Sequence, residues 1–171
     1  RVRSSAASDV YKRQGQGEPF QNYQATLEAL RFANAKDGLE IGARHITVST
    51  CGIIRGIERL ANEPEQFTLA VSLHSALQDV RNEIMPRCSN IPLPHLKKAL
   101  RSYIEKTGRR VSFEYLLIKG VTDTEENLAA LIDFCDGLLC HVNLLSVNEV
   151  EGSPYKPSST ATQQRWVKEL K

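Results

Sequence analysis

Four short stretches of this chain alternate between aliphatic and small or polar side chains, and a helix-like stretch separates each from the next. Residues 45–50 (HITVST), 67–74 (FTLAVSLH), 111–118 (VSFEYLLI) and 140–147 (CHVNLLSV) read as strands. Between them, Ile53, Ile57 and Leu60 recur at helical spacing, as do Leu96, Leu100, Tyr103 and Ile104, and then Leu128, Leu131, Ile132 and Cys135. A helix over residues 22–35, with Tyr23, Leu27, Leu30 and Ala33 on one side, precedes the first strand. A short helical stretch at residues 79–85 is closed by Pro86. Pro92 or Pro94 opens the longer helix that follows, and Gly108, behind Lys106, ends it. Thr124 and Asn127 mark the start of the next. Strands joined through helices favour a parallel sheet with right-handed crossovers, either open or curled into a barrel.

The strand faces refine that expectation. Ile46 and Val48 lie opposite His45, Thr47 and Ser49; Leu69, Val71 and Leu73 lie opposite Thr68, Ala70, Ser72 and His74. Val111, Phe113, Tyr115 and Leu117 oppose Ser112 and Glu114, while Val142 and Leu144 oppose His141 and Asn143. A parallel sheet covered by helices on both sides reads as unbroken aliphatic runs instead. The aliphatic face therefore belongs under the helices. The polar face lines something, because burying unpartnered hydroxyls and imidazoles costs about 1–3 kcal/mol each. A barrel lumen holding a polar ligand satisfies them, with its mouth at the C-terminal strand ends, where Ser49, Ser72, His74 and Asn148 sit. An open or antiparallel sheet with one solvated face gives the same alternation, but the intervening helices argue against it.

Composition narrows the function classes. Charged residues make up 25% and hydrophobic ones 41% of 171, a globular balance, and the net charge is only +2. Bulk charge thus points neither to nucleic acid nor to a membrane surface. There is no run of about 18 apolar residues and no apolar core for a secretory signal near the start. Four scattered cysteines do not make a disulfide scaffold. A cytoplasmic protein is the expectation. Residues 1–14 read as a tail, disordered or foreign to the natural protein, and residues 15–171 as the domain. Residues 161–171 form a helix-like run without a recognisable cap or stop, the pattern of a fragment.

The densest local motif is Gly15-Gln16-Gly17-Glu18-Pro19. Two glycines permit close backbone approach, a carboxylate follows, and Pro19 stiffens the exit. Carbonyls and a carboxylate accept hydrogen bonds, so this loop suits an ammonium group better than a phosphate. Such a loop alone serves as a turn as readily as a site. Ser72-Leu73-His74 places two polar side chains in phase at a strand end. His45 and His141 read as structural, and Glu114 as a base or a hydrogen-bond anchor. The cysteines lack metal-site spacing and read as ordinary buried thiols. Lys97, Lys98, Arg101, Lys106, Arg109 and Arg110 read as a solvated helix face that could also touch a phosphate backbone.

Taken in order, the glycine loop, residues 44–50, Ser72-Leu73-His74, residues 81–86 (RNEIMP), residues 108–115 (GRRVSFEY), Gly120-Val121-Thr122-Asp123, residues 141–148 (HVNLLSVN) and Gly152-Ser153-Pro154-Tyr155 resemble one family. It is that of the radical S-adenosylmethionine (SAM) enzymes that methylate adenine C2 in RNA, the RlmN type, and the resemblance covers residues 15–171. It implies an α/β fold, a partial (β/α) barrel, with SAM across the C-terminal strand ends. By motif position, Gly17 and Glu18 would hold the methionine part of SAM. Ser49, Ser72, Leu73, His74 and Asn148 would contact the rest. The sister group that methylates adenine C8 typically has alanine where this chain has Pro19, which favours C2.

The resemblance further implies a 4Fe–4S cluster and two SAM molecules, one methylating a cysteine and the other cleaved reductively. The methyl-derived carbon then adds to adenine C2, and a second cysteine resolves the crosslink. Ribosomal RNA and transfer RNA are the implied partners, with an external electron donor, no membrane and a monomeric state. Another radical SAM barrel enzyme and a non-catalytic RNA-binding module are the alternatives. The family's cluster motif Cys-x-x-x-Cys-x-x-Cys belongs before Gly15, where residues 1–14 stand instead, and the methyl-carrying cysteine belongs after residue 171. No residue here is therefore expected to be a catalytic or cluster-binding one. This polypeptide alone is expected to be catalytically inactive, and reconstitution with iron and sulfide is expected to give neither a bound cluster nor SAM cleavage.

Overall fold

The computed structural model describes residues 11–13 (as backbone), 17–148 and 151–170. The tail residues 1–10, and Gly15 and Gln16 of the glycine loop, fall outside them. The described residues form five parallel strands: β1 (Tyr11–Arg13), β2 (Ile46–Thr50), β3 (Thr68–Ser72), β4 (Val111–Leu117) and β5 (Cys140–Ser146), ordered β1-β2-β3-β4-β5. Between and after them lie α1 (Tyr23–Asn34), α2 (Ile54–Leu60), α3 (Gln78–Ile84), α4 (Leu93–Thr107), α5 (Glu125–Cys135) and α6 (Thr160–Glu169).

Sequential strand order means that the sheet grows in one direction, with no reversal of the kind a doubly wound sheet has. The core shows where the helices lie. Ile46 and Val48, Leu69 and Val71, and Val111, Phe113, Tyr115 and Leu117 are all buried in one cluster with Leu27, Ile57, Leu96, Leu100, Leu131 and Trp166 from the helices. Phe113 packs edge-on against Phe134 of α5, and Tyr115 against Trp166 of α6. The helices thus cover the aliphatic face, as the alternation of the strands requires.

The other face is polar, and the register sorts it into rows. Thr47 pairs with Thr68; Ser49 lies in line with Ala70, Ser112 and His141; Ser72 lies in line with Glu114 and Asn143. Ser49, Ser72, Ser112, His141 and Asn143 are half-buried, as befits a face that is lined but not packed.

Three local features depart from the sequence reading. Residues 10–14 make a poor strand by side-chain pattern, yet the backbone of Tyr11–Arg13 pairs with residues 46–48. The hydrogen-bonding edge of β2 specifies that pairing, not the side chains of β1. Second, β3 ends at Ser72, short of the expected residue 74. The amides of Leu73 and His74 both donate to the Glu114 carbonyl, at 3.1 and 3.2 Å, and His74 takes a left-handed φ of 57°, which ends the ladder. Third, α6 does have a cap, since Ser159 Oγ accepts from the Thr162 amide.

Elsewhere the punctuation matches. Thr124 caps α5 through the Asn127 amide, and Gly108 ends α4 in the left-handed conformation. Trp166 is fully buried and carries α6 onto the core. In urea unfolding, Trp166→Ala is expected to destabilise the fold by about 3–5 kcal/mol, and Thr124→Ala by about 1 kcal/mol.

Candidate functional site

The polar rows end at the C-terminal edge of the sheet, and the sharpest geometry there surrounds Glu18. Gly17 has φ of 101°, and a Cβ there would meet nothing within 4 Å, so backbone conformation rather than crowding calls for glycine. The chain then extends through Glu18 into a 3-10 turn, Pro19–Asn22, whose N-cap is Glu18 itself. Glu18 Oε1 accepts from the Phe20 amide at 3.1 Å and from Thr50 Oγ1 at 2.7 Å; Oε2 accepts from the Cys51 amide at 2.7 Å. A carboxylate offers about four acceptor positions. The Cys51 thiol lies against the carboxylate as well, and together these contacts hold the group still.

Thr50, which the sequence did not single out, anchors this arrangement. Its proton goes to Glu18, while its oxygen accepts from the amides of Gly52 at 3.1 Å and Ile53 at 3.3 Å. A hydroxyl residue closing a strand just before Cys51-Gly52 was the available signal.

Along the same edge lie the other residues singled out from sequence. Ser49 and Ser72 face the polar side. His74 follows β3 with its Nδ1 buried and without a hydrogen-bond partner. Burial, reinforced by the nearby Arg81 charge, lowers the His74 pKa from 6.5 to about 4, with Glu114 pulling the other way. The imidazole is therefore neutral at pH 7. Leu73 turns its side chain into the core, so only its backbone reaches the edge. Asn148, two residues beyond β5, is exposed. Glu114, on the polar face and only 1% exposed, accepts from Asn143 Nδ2 at 3.2 Å.

The loops behind this edge are tied together. Ser75 Oγ and Tyr115 Oη both donate to Asn127 Oδ1, and Tyr115 Oη also reaches the Thr122 carbonyl. Part of the basic cluster is structural. Lys97 Nζ donates to the Asp133 carbonyl near the end of α5, and Arg109 Nη1 to the carbonyls of Glu65 and Phe67, before β3.

Of the cysteines, only Cys88 is fully buried; Cys51, Cys135 and Cys140 are half-buried, which corrects the expectation of ordinary buried thiols. They stand in two contacting pairs, Cys51 with Cys88 and Cys135 with Cys140. Among the described residues no three metal-binding side chains come together, and no helix is long and apolar enough to cross a membrane.

No family model matches the chain. It is 44% identical over 146 residues to a probable dual-specificity RNA methyltransferase RlmN of Clostridium novyi, covering 85% of this chain and 43% of that protein. To the protein of the same description in Geobacillus thermodenitrificans it is 51% identical over 141 residues, 82% of this chain and 39% of that one. The chain thus spans about two fifths of the length of these curated relatives. Among solved structures, a radical SAM methyltransferase from Sphaerobacter thermophilus superposes with a TM-score of 0.90 at 43% identity, over 95% of this chain and 48% of that one. A domain of a pyruvate-formate lyase-activating enzyme from Bacteroides vulgatus matches at TM-score 0.68 and 18% identity, a likeness of fold alone. These matches identify the curved, one-sided sheet as a partial radical SAM barrel.

The state of His74 has a consequence for stability. The unfolded chain takes up this proton near pH 6.5, the folded chain only near pH 4. The His74 contribution is therefore complete above pH 6.5 and declines as pH falls towards 4, by about 3 kcal/mol in all. Urea unfolding across this range is expected to show that decline in the wild type, with the contribution absent in His74→Gln.

Proposed function

Because the chain belongs, over the stretch it shares with these relatives, to the RlmN-type radical SAM family, we propose that it forms the SAM-binding part of an RNA methyltransferase acting at adenine C2. The observation that carries this reading is the mouth of the sheet. It combines an immobilised carboxylate, two half-buried serine hydroxyls, and a neutral imidazole whose buried Nδ1 has no partner.

Those features fit SAM group by group. Glu18, already held by its loop, takes the methionyl ammonium through a charge-assisted bond made without reorganising that loop. Ser49 and Ser72, aimed from neighbouring strands, offer hydroxyls that donate or accept towards the ribose or carboxylate. His74 supplies the unsatisfied ring nitrogen, and Asn148 an amide at the rim. The backbone about Gly17 brings the loop close. When bound, SAM supplies the methyl group and the reductively cleavable sulfonium on which the chemistry of such enzymes depends.

A 4Fe–4S cluster is a different matter. The described residues do not fit one, since the free cysteines pair off at two separate places and no third ligand joins either pair. The proposed substrates are ribosomal RNA and transfer RNA, by kinship with dual-specificity relatives. Pro19, which opens the 3-10 turn after Glu18, supports the choice of C2.

Calorimetric titration of the chain with SAM tests the reading. Saturable binding is expected, weakened at least tenfold in Glu18→Ala and several-fold in Ser72→Ala. Absence of heat, or equal affinity in Glu18→Ala, defeats it. For the whole protein that carries this chain, the expected product is 2-methyladenosine, detected by nucleoside mass spectrometry of the incubated RNA.

A further inference from the structure

Residues 81–86 carry part of the family likeness, yet binding SAM leaves them without a task. Arg81, on α3, is fully buried. It stands behind the mouth, and no described carboxylate pairs with it; its partners are backbone carbonyls. Nε donates to Leu73 at 3.2 Å, Nη2 to Cys51 at 2.6 Å and, more weakly, Nη1 to Cys88 at 3.5 Å. A planar guanidinium can reach three carbonyls of different segments at once, which a lysine ammonium on a single stem cannot.

Two of these bonds begin relays that end at the mouth. The Cys51 carbonyl that Arg81 engages belongs to the peptide whose N–H, that of Gly52, donates to Thr50 Oγ1. Thr50 in turn donates to Glu18 Oε1. The Leu73 carbonyl belongs to the peptide whose N–H, that of His74, donates to the Glu114 carbonyl. Each link polarises the next in the same sense, which strengthens the chain. The backbone is fixed at both places. Gly52 has φ of 105°, and a Cβ there would lie 3.1 Å from Leu96 Cδ1; His74 is held at φ of 57°.

We propose that Arg81 is a positioning residue that sets the loop after β2 and the end of β3 together, and through them fixes Glu18 and His74 for the ligand. This deepens the SAM reading and rests on it for the identity of the ligand alone. The coupling itself belongs to the free protein. A left-handed histidine and a glycine at large positive φ are conformations that a loop does not keep unless its surroundings over-determine them. One guanidinium bonded to both peptides supplies that constraint.

The test has two arms, in wild type, Arg81→Lys and Arg81→Met. Amide hydrogen exchange without ligand is expected to accelerate at least tenfold at Gly52 and His74 in both variants, beyond any change at Leu100 and Tyr103 in α4. SAM affinity is expected to fall at least tenfold in Arg81→Lys. If Arg81→Met does not fold, Arg81→Lys carries the test. Exchange at Gly52 and His74 that stays at wild-type rates, or rises only in step with α4, overturns the proposal, as does unchanged SAM affinity in Arg81→Lys. A wild type that binds no SAM but shows the selective exchange sinks the cofactor reading and upholds the role of Arg81.

Discussion

Strands β2, β3 and β4 each pack an aliphatic face under the helices and turn a polar face the other way, and this asymmetry governs the architecture. Burying the aliphatic face needs helices on one side only. The ordered sequence of parallel strands provides them, and the second face of the sheet stays lined with polar side chains. Rows of polar side chains then arise from register rather than from any motif. Ser49, Ser112 and His141 lie in line because β2, β3, β4 and β5 pair residue against residue. A one-residue slip in any strand would turn its hydroxyls into the core and its valines into the lumen. The same constraint that forms the core therefore also builds the site.

The period of two in four strands, the caps at Thr124 and Gly108 and the proline boundaries were legible because each is a local rule expressed over a few residues. So were Ser49, Ser72 and His74 as members of one edge. What escaped reading depends on partners distant in sequence. Tyr11–Arg13 pairs as an edge strand because β2 offers an edge. Thr50 matters because Glu18, 32 residues earlier, needs a donor. Arg81 looks like any helix-surface arginine until the fold places three carbonyls around it. The early end of β3 was equally hidden, since it follows from a carbonyl on β4 that accepts two consecutive amides. Leu73, between Ser72 and His74, directs its side chain into the core and leaves only its backbone at the edge, which the alternation of the strand already indicated.

The mouth divides into a saturated half and an unsaturated one, and the two suit different tasks. Around Glu18 nearly every donor and acceptor is matched, so the carboxylate has little freedom to lose when a cation arrives. Around His74 and the two serines the groups are unsatisfied or half-exposed, and their hydroxyl rotors can adapt to a ribose or carboxylate. A rigid anchor with adaptable neighbours discriminates by charge first and by shape afterwards. That order suits a ligand whose charged end is constant and whose remainder must be turned accurately towards a reaction partner.

The charges at this edge are also arranged for a cationic guest. Glu18 and Glu114 approach the lumen from different strands or loops, whereas Arg81, the one fully buried guanidinium among the described residues, stands behind the backbone with its donors turned to carbonyls. Burial raises the free energy of a proton on His74, and the Arg81 charge raises it further against the pull of Glu114, so the imidazole stays neutral in the pH range where cells operate. A protonated histidine here would set a second cation beside the sulfonium of the SAM proposed to bind. Burial, with the guanidinium proposed to brace the two loops adding to it, thus keeps the adjacent histidine uncharged, and the polar face stays electrostatically open to the ammonium and sulfonium of the proposed ligand.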